Sequence, residues 1–206
     1  MSASDDDWAK PTAFPWPTLG QHPFRQGSHW LQNAKVADDV DERIYRMPDG
    51  YKRAADLLVE RAISNRAHRD FLVYPIIFCY RHYLEIQLKC QLHDYGGLVG
   101  IEADWEHHAF EKLWPSYQEM LRRFGPGDDQ AIQMVADCVA AFAEIDPSSF
   151  SFRYPTGKRG LRLDTPMTNL DLMNLYEVMG SVSMFFLGAE GALDQRKHPE
   201  TFGDSV

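Results

Sequence analysis

The sequence predicts an all-α fold, an antiparallel bundle of four to five helices with a small β-hairpin inserted before the last helix. Two observations predict it. Apolar residues recur at spacings of three and four along most of the 206 residues, the signature of helices with one buried face. A period of two occurs only at Phe150, Phe152 and Tyr154, enough for one short strand pair. The intervals between helical stretches are short, which favours antiparallel neighbours. A chain of this length buries roughly 70% of its unfolded surface, so one hydrocarbon core suffices without disulfide or metal.

Residues 1–48 read as an extended arm with a short helix. Pro11, Pro15, Pro17 and Pro23 stand among Trp8, Phe14, Trp16 and Phe24, with too much proline for a helix and too many aromatics for a free linker. The arm is expected to lie over the body. Trp30, Leu31, Ala34, Val36, Val40 and Ile44 have loose helical spacing before a turn at 47–50. The domain proper is expected over 49–192. Its first helix, 49–65, has Asp49 available as a cap and Tyr51, Ala54, Ala55, Leu58, Ala62 and Ile63 on one face.

The second helix is expected over 75–95, because Pro75 suits a first turn and Gly96-Gly97 a stop. Tyr80, Leu84, Leu88 and Leu92 form its core stripe. A third, 107–124, is kinked or split at Pro115 and ended by Gly125-Pro126-Gly127. Asp128 opens a fourth, with Ile132, Val135, Cys138, Val139 and Phe142 inward and Pro147 closing it. The hairpin follows, from Phe150 through Gly157 and Gly160 to Leu161 and Leu163. The last helix starts at Thr168 or Asn169 and buries Leu172, Leu175, Met179, Val182 and Phe186, leaving 193–206 as a frayed tail.

Composition narrows the setting. The acidic start MSASDDDWAK lacks the basic and apolar segments of an export signal. The longest apolar run, 76–80, falls far short of the roughly 20 residues of a membrane span. Cys79, Cys90 and Cys138 sit in apolar helical patterns and read as reduced core thiols. The expected location is therefore cytoplasmic, with no membrane partner. The net charge of −9 is uneven. Residues 99–150 carry ten acids against three bases, whereas 151–163 carry Arg153, Lys158, Arg159 and Arg162 without an acid. That basic patch suits steering toward an anion.

Three groups of residues could carry chemistry. Arg81, Glu85 and Lys89 are spaced by four and His82 lies three before Glu85, placing all four toward one side of a helix. That helix is apolar almost all round, and charges on a central helix are costly unless paired or facing a cleft. The cleft, a buried network and a plain surface ladder are the three readings. His107 and His108 open the third helix, where the dipole favours anions. On strand geometry Arg153 would point opposite to Phe152 and Tyr154, either toward an anion or into a pair with Asp146. A metal reading joins His82, Glu85 and His108, but Arg81 and Lys89 would repel a cation, so no metal or cofactor is expected.

The run from Arg81 through His82, Glu85 and Lys89, then a loop and His108 with Leu113 and Trp114, resembles the HEPN superfamily. In those helical bundles a Glu and a Lys follow on a central helix and a His opens the next. Phe152-Arg153-Tyr154-Pro155 is similar to uncharacterised bacterial proteins of this kind. The resemblance covers about 49–186. It implies an RNA-binding or RNA-cleaving protein of a bacterial toxin or defence system, acting as a homodimer. Arg81, His82 and His108 would be the catalytic candidates, with Glu85, Lys89, Arg153, Tyr154 and Arg159 lining an anion-binding cleft. HEPN ribonucleases carry an Arg followed after four to six residues by a His near the last helix. Here the only histidine after Arg153 is His198, and the only matching spacing is Arg61 with His68. The alternative is a non-catalytic helical interaction module in which the polar residues are structural.

Overall fold

The computed structural model describes residues 14–147, 149–157, 160–161 and 167–198. Its regular elements are the helices α1 (Val40–Ser64), α2 (Arg66–Tyr95), α3 (Phe110–Phe124), α4 (Asp129–Ile145) and α5 (Leu172–Lys197), with 3-10 turns at Trp30–Gln32 and Gly96–Val99. The all-α class holds. The hairpin does not: no strand occurs among the described residues of 150–161.

The cause lies at the end of α4. One carboxylate oxygen of Asp146 accepts the backbone N–H groups of Phe150 and Ser151 at 2.8 and 2.9 Å, and winds the segment into a turn. Arg153 and Tyr154 then donate their N–H groups to the Phe150 carbonyl, and the rings of Phe150 and Tyr154 stack 4.3 Å apart. Alternation of faces is lost. Arg153 sits over the Tyr154 ring instead of opposite to it.

Helix limits follow their caps. The Asp39 side chain accepts from the N–H of Glu42 and starts α1, which runs through Pro48 and Gly50 where the sequence predicted a turn. Pro48 is buried, so tertiary packing overrides the local penalty of proline. Likewise α2 starts nine residues before Pro75. The Asn65 side chain accepts from the N–H of Ala67, and Arg69 donates to the carbonyls of Ala62 and Ile63 at the end of α1. A single residue thus closes one helix and opens the next. Pro115 lies within a continuous α3, which begins at Phe110. Asp128 caps α4 as expected, and Asp171, through the N–H groups of Met173 and Asn174, caps α5. The tail expected from 193 is helical to Lys197, anchored by buried Leu193 and by the Tyr95 hydroxyl donating to Asp194.

Side-chain pairings give the directions. Tyr51 meets His82, Asp56 meets Tyr80 and Arg61 meets His68, so α1 and α2 are antiparallel. Contacts of Arg81 with Phe110, Gln91 with Tyr117 and Val99 with Arg123 make α3 run along α2 in the same direction. The link 100–109 is therefore a strap that retraces α2, not a tight corner. The core stripe Tyr80, Leu84, Leu88 and Leu92 is fully buried at the centre. Packed on it are Phe110, Leu113 and Tyr117 of α3, and Met179, Val182 and Phe186 of α5.

The arm departs furthest from expectation. Phe14, Trp16, Leu19, Phe24, Trp30 and Leu31 are all exposed, so the described residues 14–31 do not cover the body as expected. Finally, α5 is long and apolar enough to cross a membrane by length and composition, which a search for uninterrupted apolar runs overlooks because Glu177 and Glu190 lie within it.

Candidate functional site

Arg81, Glu85 and Lys89 follow one another at one-turn intervals on α2, so their side chains stack along the axis. All three are buried. Arg81 is 1% exposed and each guanidinium nitrogen has an acceptor at 3.1 Å. Nε donates to the Asp146 carbonyl, one terminal nitrogen to Glu85 Oε2 and the other to the His108 carbonyl. Its plane covers the Phe110 ring at 4.7 Å, and the Asp146 carboxylate lies 3.6 Å from Nε.

Glu85 is the hub. Its Oε1 accepts from Lys89 Nζ at 3.1 Å and contacts His108 Nδ1 at 2.6 Å. Burial alone would raise its carboxyl pKa. Hydrogen bonds from His108 and Lys89 outweigh burial and hold it below the usual value of 4.5. Lys89 gives a second bond to the Trp105 carbonyl at 3.2 Å. With Arg81 and Lys89 charged against Glu85 and Asp146, the buried group balances without His108. Burial lowers the Arg81 pKa, against the pull of Asp146 and Glu85.

The acceptors of Arg81 and Lys89 explain the arrangement. The carbonyls of Trp105 and His108 belong to the strap, and that of Asp146 to the end of α4. Strap backbone running along a helix has no ladder of its own, and buried carbonyls need donors. The charged stripe supplies them. Of the three readings left open by the sequence, the geometry is that of a buried network.

His82 does not join it. One residue around the helix from Arg81, it faces α1, with its ring 4.4 Å from Tyr51 and stacked on Phe78 at 5.6 Å. Burial lowers its pKa against the pull of Glu85, and the charges of Arg81, Arg153 and Lys89 act in the same direction as burial. His108 keeps 64% of its side chain in solvent while its Nδ1 reaches Glu85. Arg153 and Tyr154 are exposed beyond the network. The predicted site residues therefore separate into a buried set, a half-buried imidazole at His82 that faces α1, an exposed imidazole at His108 that touches Glu85, and the surface residues Arg153 and Tyr154. Arg159 lies outside the described residues.

Sequence reasoning missed Asp146 as the partner of Arg81, having paired it with Arg153. It also missed the bridge in which Tyr117 donates to Gln91 at 2.5 Å and Gln91 to the Phe186 carbonyl at 2.9 Å, joining α3, α2 and α5. A Gln among Cys90, Leu92 and Leu88 was the available signal, since a buried amide needs partners. Arg61 and His68, set aside on spacing, meet at 3.3 Å across the α1–α2 corner. Burial raises the three thiols, Cys90 to about 12 and Cys138 to about 11, which makes them poor nucleophiles. No cluster of three potential metal ligands occurs among the described residues. Compared with family models, curated proteins and solved structures, the chain matches none, so the reading of the site rests on its own geometry.

Proposed function

We propose that the protein is a HEPN-like helical bundle acting as a non-catalytic interaction module, with the charged stripe of α2 serving as a structural lock. The observation that carries this reading is the burial of Arg81 with a protein acceptor for each of its three nitrogens, at 1% exposure. Each nitrogen of the guanidinium already has a protein acceptor, and its two remaining N–H groups are too deeply buried to meet a phosphate from solvent. Glu85 and Lys89 are equally occupied, and His82 lies against aromatic rings.

The test is incubation with tRNA and structured RNA at neutral pH. The expected result is intact RNA and no binding that weakens steeply with salt, the mark of phosphate contacts. Salt-dependent binding, or cleavage abolished by His108→Ala in a chain of unchanged melting temperature, would overturn the proposal.

A second reading keeps an RNA-directed activity, and one contact favours it. Arg61 and His68 have the Arg-to-His spacing of HEPN ribonucleases and meet at an exposed corner. Under this reading Arg61→Ala and His68→Ala each abolish cleavage, whereas substitutions at Arg81 act only through stability.

A further inference from the structure

The described part of the arm carries exposed apolar rings that the site does not use. Phe14 is 81% exposed, Trp16 89% and Phe24 87%. The hydrogen bonds within 18–33 join arm residues to one another: Thr18 with Gln21, His22 with Phe24, and Gly27 with Asn33. The segment is thus locally shaped without resting on the body. Exposed apolar groups gathered in this way mark an interaction site. The described stretch 14–37 carries two cations, Arg25 and Lys35, and no acid, in a chain of net charge −9. Lys35 pairs with Glu42 beside the junction with α1. Arg25 has no ion-pair partner among the described residues.

The body offers the complement. Between α1, α2 and α5 lies a cavity of about 380 Å³, walled by Tyr45, Tyr83 and Phe186 and carrying Asp41, Asp94 and Glu190. Among the described residues none of these three acids has an ion-pair partner, whereas the two cations of the cavity are already engaged, Lys52 by Asp56 and Arg53 by Asp49. Burial raises the carboxyls of Asp94 and Glu190; at Asp94 the charges of His93 and Lys197 oppose it, while at Glu190 the neighbouring Asp194 and Asp94 add to it. A cation arriving here would relieve that repulsion. Leu187 lines the cavity and is itself exposed, so apolar surface continues outward from the rim.

We propose that two copies of this chain exchange arms, the aromatic segment 14–25 of each, ending in Arg25, occupying the acidic cavity between α1, α2 and α5 of the other. A second copy is the occupant because acid and base, ring and groove are all present in one chain while the arm leaves its own cavity empty. Exchange also buries two equivalent interfaces under twofold symmetry, which closes the assembly. The inference rests on the reading of the protein as an interaction module and names the partner.

The experiment measures the mass of the full-length chain in solution across a concentration series. Expected is a dimer whose dissociation constant rises roughly hundredfold in Trp16→Ala with Phe24→Ala, as for buried aromatic anchors. Arg25→Glu and Glu190→Arg should each weaken it roughly tenfold and the pair together restore it, the behaviour of a charge contact across an interface. The arm substitutions lie outside the core, so unchanged circular dichroism separates lost association from lost folding. A monomer at every concentration, a dimer indifferent to the arm, or a charge swap without restoration would each overturn the exchange. RNA cleavage would overturn the underlying reading whether or not the chain dimerises, whereas a monomer that leaves RNA intact overturns only the exchange.

Discussion

The centre of α2 and the N-terminal arm invert the usual relation between polarity and solvent. Arg81, Glu85 and Lys89 lie inside, while Phe14, Trp16, Leu19 and Phe24 lie outside. The difference is one of available partners. Inside, each charge meets an opposite charge or a backbone carbonyl from another segment, which offsets the cost of leaving water, although one Asp146 carboxylate oxygen has no hydrogen bond and faces Arg81 Nε only at 3.6 Å. Outside, proline interrupts the arm so often that its rings have no periodic face with which to join a core. Polarity alone therefore did not decide burial in either region.

The contrast is broken most severely at the hub. Glu85→Ala leaves Arg81 and Lys89 buried beside one remaining carboxylate, and is expected to cost about 3–5 kcal/mol, read from chemical denaturation. A loss under 1 kcal/mol would mean that the stripe is not a lock. The same residue sets an acid-side signature. Because the folded pKa of Glu85 lies below its ordinary 4.5, its contribution is fully present above that value and is lost as pH falls through the folded value. Stability measured from pH 6 down to 2 should decline more steeply in the parent than in Glu85→Gln.

Next in size is the bridge beneath the stripe. Tyr117→Phe removes the donor to Gln91 and strands a buried amide oxygen, costing about 1–3 kcal/mol. His108→Ala comes after it, at about 0.5–1 kcal/mol, since its contact with Glu85 is largely in solvent and screened. Smallest is Leu19→Ala in the arm, expected within about 0.5 kcal/mol of the parent in dilute monomer. A large loss there would show that the arm is bound to its own body, and would erase the comparison.

Much of the helix plan was legible. Asp128 as a cap, the stop after Tyr95, the end of α4 before Pro147 and the stripe from Tyr80 to Leu92 all stand where local pattern put them. Pro48 and Pro75 misled, because proline weakens a helix locally but does not end one that tertiary packing holds on both sides. The strand pair was misread because one carboxylate, Asp146, captured two amides and turned the chain. As for the site, spacing found Arg81, Glu85 and Lys89 but wrongly placed His82 with them. The step of about 100° from Arg81 to His82 around the helix separates the face under α3 and the strap from the face under α1.

What the sequence determined by itself were features within the reach of a few residues: caps, stops and apolar periods, whose energetics lie within one or two turns of chain. What only the tertiary structure decided was the company each side chain keeps. The Arg81 guanidinium is completed by a carbonyl 65 residues away and another 27 away, and Gln91 by a carbonyl 95 residues away. Those partners depend on the course of the strap and on the direction of α3, which no local spacing encodes. The same holds for the arm: its prolines deny its rings a periodic face, but that they find no partner within the described chain is a fact of the tertiary structure.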